Sequence, residues 1–118
     1  MRLGLMMEKK SKFRENYLDC GRLFRITIPA TRAAVVHSLD RKNISQTEIA
    51  KKLMITQPAV NKYLKMSYSK EIKSLCDFIL KNRLEEPAVR AAIAGKRVPA
   101  QIDRIAASKP VIDAAGKM

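Results

Sequence analysis

Two helix-start signals stand eleven residues apart in the middle of the chain, at Ser45 and Thr56, and leave room between them for one short helix and a tight turn. Ser45 and Glu48 form an S-x-x-E box: the hydroxyl accepts from the N–H three residues on, and the carboxylate reaches back to the serine N–H. Thr56, Gln57 and Pro58 repeat the signal as an N-cap followed by a first-turn proline, where the missing N–H removes nothing the helix would use. The first helix therefore stops near Leu53, and Leu53 to Ile55 make the turn. Ile49, Ala50 and Leu53 are spaced to face inward from the first helix, Val60, Tyr63 and Leu64 from the second, with Ile55 plugging the turn. Ala50 falls where the two helices cross, and a larger side chain there would push them apart.

A pair of short helices related in this way is a helix-turn-helix, whose second helix projects far enough to enter a major groove. The side chains left facing outward on that helix are Gln57, Pro58, Asn61, Lys62 and Lys65. Gln and Asn can take adenine bidentately, and Lys can meet guanine or phosphate. Charge points the same way. The 118 residues carry 24 Lys and Arg against 11 Asp and Glu, a net +13, and a polyanion is the expected partner. Residues 31–65 hold seven basic and two acidic side chains, the densest positive charge along the chain.

The remaining sequence reads as helix punctuated by proline and glycine, with no convincing alternation, so the expected class is all-α: a compact bundle containing the helix-turn-helix, with additional C-terminal helices. Residues 1–19 read as a basic, mobile segment, and 20–68 as the DNA-binding core. A short helix is expected around Tyr17 to Phe24, LFRITIP serves as a linker, and Pro29 opens a helix that runs to about Arg41. Residues 69–110 read as C-terminal helices. Ser69 caps the first of them, with Ile72, Leu75, Cys76, Ile79 and Leu80 on one face; Pro87 and Pro99 start two more, Gly95 stopping the former and Pro110 the latter. Residues 111–118 are expected to fray.

Several functions are set aside by what the sequence lacks. One histidine, His37, and no phosphate loop or paired carboxylates leave little for acid-base or nucleophilic catalysis, so an enzyme is not expected. His37 lies off the apolar stripe of its helix and reads as a solvated residue. Cys20 and Cys76 have no partners at metal-ligand spacing; neither a metal nor any cofactor is expected. The apolar opening MRLGLMM ends at Glu8, too short for a signal sequence, and no apolar run is long enough to span a bilayer, which with two free cysteines suggests a cytoplasmic protein without a membrane partner.

SQTEIAKKLMITQPAVNKYL resembles the helix-turn-helix of the Cro and lambda-repressor-like regulators. The stretch from Cys20 through PATRAAVVHSL to KYL is similar to small archaeal predicted transcriptional regulators of that superfamily. The resemblance covers about residues 20–66. It implies a bundle of about five helices, with Ser45 to Leu53 the supporting helix and Thr56 to Lys65 the recognition helix, binding double-stranded DNA as a homodimer. By position, Gln46 would meet a phosphate, with Ser45, Thr56 and Lys65 as further phosphate contacts. Thr56, Gln57, Pro58, Asn61 and Lys62 would lie in or at the groove, Gln57, Pro58, Asn61 and Lys62 reading bases. The chain departs from the family at Met54, where such turns ordinarily have glycine; a non-glycine residue held at positive φ costs about 1–2 kcal/mol.

Two other functions compete. The charge would also attract RNA, although 5% aromatic residues, no Trp and no GXXG clamp supply no stacking platform. Alternatively the motif is a docking surface of a protein-interaction adaptor, for which Ala91, Ala92, Ala94, Ala106 and Ala107 would allow close helix approach. For homodimerisation, the apolar stripe after Ser69 and these alanines exceed what a five-helix unit needs. No separate ligand-binding domain is legible.

Overall fold

In the computed structural model, backbone is described for residues 2–117 and side chains for residues 22–117. The described residues form seven helices and no strand: α1 Arg2–Arg41, α2 Gln46–Leu53, α3 Gln57–Leu64, α4 Lys70–Lys81, α5 Glu86–Ile93, α6 Val98–Ala106 and α7 Lys109–Gly116. The all-α bundle expected from the sequence is therefore what the chain adopts. The mobility expected for residues 1–19 concerns positions outside the described side chains, as does Cys20.

The central post is α1, which packs against each of the other six helices and most extensively against α4. Its sequence around Ala33-Ala34-Val35-Val36 explains the role, because all four consecutive residues are fully buried, and a helix apolar on every side must be enclosed on every side. Ala30, Thr31 and Leu39 extend the sealed surface. Small side chains at 30, 33 and 34 let neighbouring helices approach the α1 backbone closely.

Pro29 lies inside α1 and does not start it. The expected linker at Leu23 to Pro29 is thus corrected: LFRITIP is helical and runs without a break into the buried half of α1. An interior proline deprives the Arg25 carbonyl of its N–H donor and costs about 3 kcal/mol in an isolated helix. Burial on the C-terminal side of Pro29 offsets this. Next to the lesion the Thr31 hydroxyl donates to the Thr27 carbonyl at 2.7 Å, an added acceptor contact within the sealed region. The Thr27 hydroxyl itself is buried without a partner.

A second correction concerns the C-terminus. Of the tail 111–118 expected to fray, residues 111–116 are helical, because Ser108, Lys109 and Pro110 begin α7. Val111 and Ala115 are buried, and α7 packs on α1 and α4. Pro110 is a first-turn residue of the last helix, although from sequence it reads equally well as the stop of α6. A single apolar cluster runs from Ala30 to Ala115, so the division at residue 69 does not separate two cores.

Five helices end in the same way. After α1, α2, α3, α4 and α5 a residue takes the left-handed conformation: Asn43 (φ 64), Met54 (φ 56), Met66 (φ 57), Arg83 (φ 54) and Gly95 (φ 73). At each, that residue and the next return N–H groups to the last turn, as in Ile44 to the Leu39 carbonyl (3.2 Å) and Leu84 to the Ile79 carbonyl (3.0 Å). This is the Schellman arrangement, which satisfies carbonyls a helix end would leave open. Only one of the five positions is glycine.

Candidate nucleic-acid interface

The two short helices form as the caps dictate. Ser45 is extended (φ −65, ψ 154) and its Oγ accepts from the Glu48 N–H at 3.3 Å; the Glu48 carboxylate makes no return hydrogen bond among the described residues, so half of the expected box is made. Thr56 is likewise extended, and its Oγ1 accepts from the Ala59 N–H at 3.2 Å with Pro58 in the first turn. Each hydroxyl keeps its own hydrogen for an outside acceptor. The first amides of α2 and α3 lack intrahelical partners and mark positive helix ends, the kind of place where a phosphate is well received.

Inward residues fall where their spacing puts them. Ile49 and Val60 are sealed, Ala50 and Leu53 are buried, and Ile55, Tyr63 and Leu64 pack part-buried against the same core. The turn is built around Met54 in the left-handed region, its N–H directed to the Lys51 carbonyl and that of Ile55 to the Ala50 carbonyl at 3.0 Å. The glycine-type geometry is therefore kept without the glycine. Met54 is 78% exposed and packs no core, so Met54→Gly removes strain at no cost in burial. We expect this change to raise stability by about 1 kcal/mol, since relief of the left-handed penalty outweighs the added freedom of the unfolded chain. Chemical denaturation of the two proteins side by side measures it; a loss of stability would contradict the account of the turn.

The outward residues also lie together. Gln57, Pro58, Lys62 and Lys65 are exposed along α3 and its C-cap, and Asn61 is half-exposed between them. Ser45 and Thr56 are exposed at the two N-caps, and Gln46 is half-buried at the start of α2. These eight positions are the ones the sequence nominates. Two further contacts hold the pair in place and are not legible in the sequence. Lys52 Nζ donates to the Ala92 carbonyl at 2.9 Å, tying α2 to the last turn of α5. Tyr68, just beyond α3, stacks at a tilt against Tyr63 with centroids 6.3 Å apart, and its hydroxyl lies 3.5 Å from His37 Nε2 on α1.

His37 is accordingly part-buried at a helix junction and not simply solvated. Burial, with the nearby Arg41 charge, pushes its pKa below the ordinary histidine value. Tyr68 is raised by burial, and burial pushes the Cys76 thiol up to about 11, which leaves it a small apolar core residue with little thiolate at neutral pH.

Among the described residues no group of acidic, histidine or cysteine side chains could hold a metal ion, and no helix is long and apolar enough to cross a membrane. Compared with protein-family models, with curated proteins and with solved structures, the chain gives no significant match in any of the three.

Proposed function

We propose that this chain is a sequence-specific double-stranded DNA-binding protein, a transcriptional regulator of the Cro and lambda-repressor-like kind, in which α3 enters the major groove and α2 lies across the backbone. The observation that carries the reading is the two-sidedness of α3. Val60 is sealed into the core while Gln57, Pro58, Lys62 and Lys65 stand in solvent, so the helix is anchored by one face and offers the other. On that face Gln57, Asn61 and Lys62, with Pro58 packing beside them, would read bases. Ser45, Gln46, Thr56 and Lys65, at the ends of the two helices, would fix the register on phosphates.

The protein acts as a homodimer in this reading, with two recognition helices about one DNA turn apart. The apolar stripe of α4 does not supply the interface, because Leu75, Cys76 and Ile79 are fully buried within one copy. Nor are Ala91, Ala92 and Ala106 available to a partner, being packed internally. Ala94 and Ala107 are exposed, so the adaptor reading keeps two of its five alanines.

Selection of bound sequences from a random duplex pool tests specificity and symmetry together. An enriched palindrome with half-sites one helical turn apart is the expected result, and a pool that yields no preferred sequence would defeat the proposal. Salt adds an independent check. Each neutralised phosphate contributes about −0.9 to the slope of log K against log salt, so several basic contacts predict a slope of about −4 or steeper. Affinity measured by fluorescence anisotropy should fall accordingly; a flat dependence is incompatible with a phosphate-contacting interface.

A further inference from the structure

Imidazole is the side chain whose ordinary titration falls near neutral pH, and this chain has a single histidine. His37 stands on α1 where the end of α3 and the start of α4 meet it. Its Nε2 lies 3.5 Å from the Tyr68 hydroxyl, and the ring also faces the backbone carbonyl of Tyr63 in the last turn of α3. Tyr63 and Tyr68, tilted against each other at 6.3 Å, bracket the reversal of chain that carries α3 into α4. Three amides close that reversal: Lys65 N–H donates to the Asn61 carbonyl at 2.9 Å, Met66 N–H to the Tyr63 carbonyl at 3.1 Å and Ser67 N–H to the Lys62 carbonyl at 3.1 Å. Met66 is in the left-handed region, so this is also a strained stretch. The imidazole thus meets one short segment at both of its ends, residues 63 and 68.

The surroundings of the ring disfavour a second proton. On α1 the Arg41 charge, one turn further along, opposes it and Asp40 favours it; from α4 Asp77 favours it, and from α3 the Tyr63 carbonyl does the same. Tyr68 and its neighbour Cys76 stay neutral in this pH range. Asp40, Arg41 and Asp77 are all exposed, so water and salt weaken each of these pulls, whereas burial of the ring is fixed by the packing. Burial, aided by Arg41, wins: His37 is held below its ordinary value of 6.5. A histidine lowered in this way stabilises the fold above pH 6.5. The contribution is lost as pH falls through 6.5 toward the folded value, because the unfolded chain takes the proton first.

We propose that His37 is a proton-operated latch on the C-terminal end of α3: neutral, it seats residues 63–68 against α1, and protonated, it unseats them while the rest of the bundle stays closed. Val60 and Leu64 hold the body of α3 by apolar contact, which does not titrate, so acid acts on the end of the helix alone. The latch concerns how α3 is seated and stands whether or not that helix reads DNA.

NMR of the full chain from about pH 8 to about pH 5 tests it, because the single imidazole gives an unambiguous titration. Its midpoint should lie below 6.5. Over the same range the hydrogen-exchange protection of the Lys65, Met66 and Ser67 amides, corrected for the intrinsic exchange rate, should fall at least about threefold, the ceiling for one proton being about tenfold per pH unit. Protection of the Ile112 amide, which closes the first turn of α7, should not change. His37→Gln keeps a polar side chain that cannot titrate, and should make the three amides indifferent to pH. Arg41→Gln removes an exposed charge and should move the ring midpoint up toward 6.5 and shrink the acid effect, which carries the test should His37→Gln fail to fold. A midpoint at or above 6.5, one unmoved by Arg41→Gln, no loss of protection, a loss shared by Ile112, or the same loss in His37→Gln would each overturn the proposal.

Discussion

Leu75→Ala is expected to bring the protein close to unfolding. Leu75 is fully buried on α4, the helix that packs most extensively on the central α1, and its truncation leaves a cavity between two elements that cannot easily collapse. Loss of a buried leucine side chain costs about 2–5 kcal/mol, against a total of about 5–15 kcal/mol for a domain. Ile93→Ala, at a residue 59% exposed, should change stability by no more than about 0.5 kcal/mol. Urea denaturation followed by circular dichroism reads both. The midpoint should fall steeply for Leu75→Ala with the slope unaltered, and similar midpoints for the two variants would show that the apolar cluster is not the source of stability.

The second large effect separates reading from folding. Gln57→Ala and Asn61→Ala remove side chains from the open face of α3 without touching the core, so both variants should melt with the parent protein. On the proposed function each deletes a potential bidentate base contact, worth about 1–3 kcal/mol of discrimination, while nonspecific affinity for duplex is largely kept. Val60→Ala is the internal contrast: it deletes sealed methyl groups and should lose stability before it loses specificity. The measured quantity is the ratio of specific to nonspecific affinity, using the sequence recovered by selection. A ratio unchanged in both Gln57→Ala and Asn61→Ala would remove α3 from the role of reader.

The part of the fold that is legible in the sequence is the part governed by local chemistry. Ser45, Thr56 and Ser69 each accept an N–H from three residues on, and α2, α3 and α4 begin where these side chains put them. Inward and outward positions on α2 and α3 come from helical spacing alone. Proline is ambiguous because it satisfies a helix start and disrupts a helix interior by the same missing N–H. At Pro29 and Pro110 the outcome depends on how much surface the adjoining residues bury, which a local pattern does not contain. The run Ala33-Ala34-Val35-Val36 is the available sign that α1 is enclosed, since apolar residues on consecutive positions cannot share one face. The Lys52–Ala92 tie and the Tyr68–His37 contact join residues 40 and 31 positions apart, and nothing in their spacing announces them.

The enclosure of α1 also bears on how such a chain comes to be folded during synthesis. Its buried stretch emerges ahead of its cover and is apolar on all sides, while the residues that cover it are distributed as far along as Val111 and Ala115. At about 5–20 residues per second, the interval between the appearance of that stretch and of its last cover is on the order of several seconds. During this interval the nascent chain carries a sticky, unshielded rod, while α2 and α3 already hold all the residues of their own caps and turn. Folding of the motif and completion of the domain are thus separated in time, and protection by a chaperone would matter most between the two.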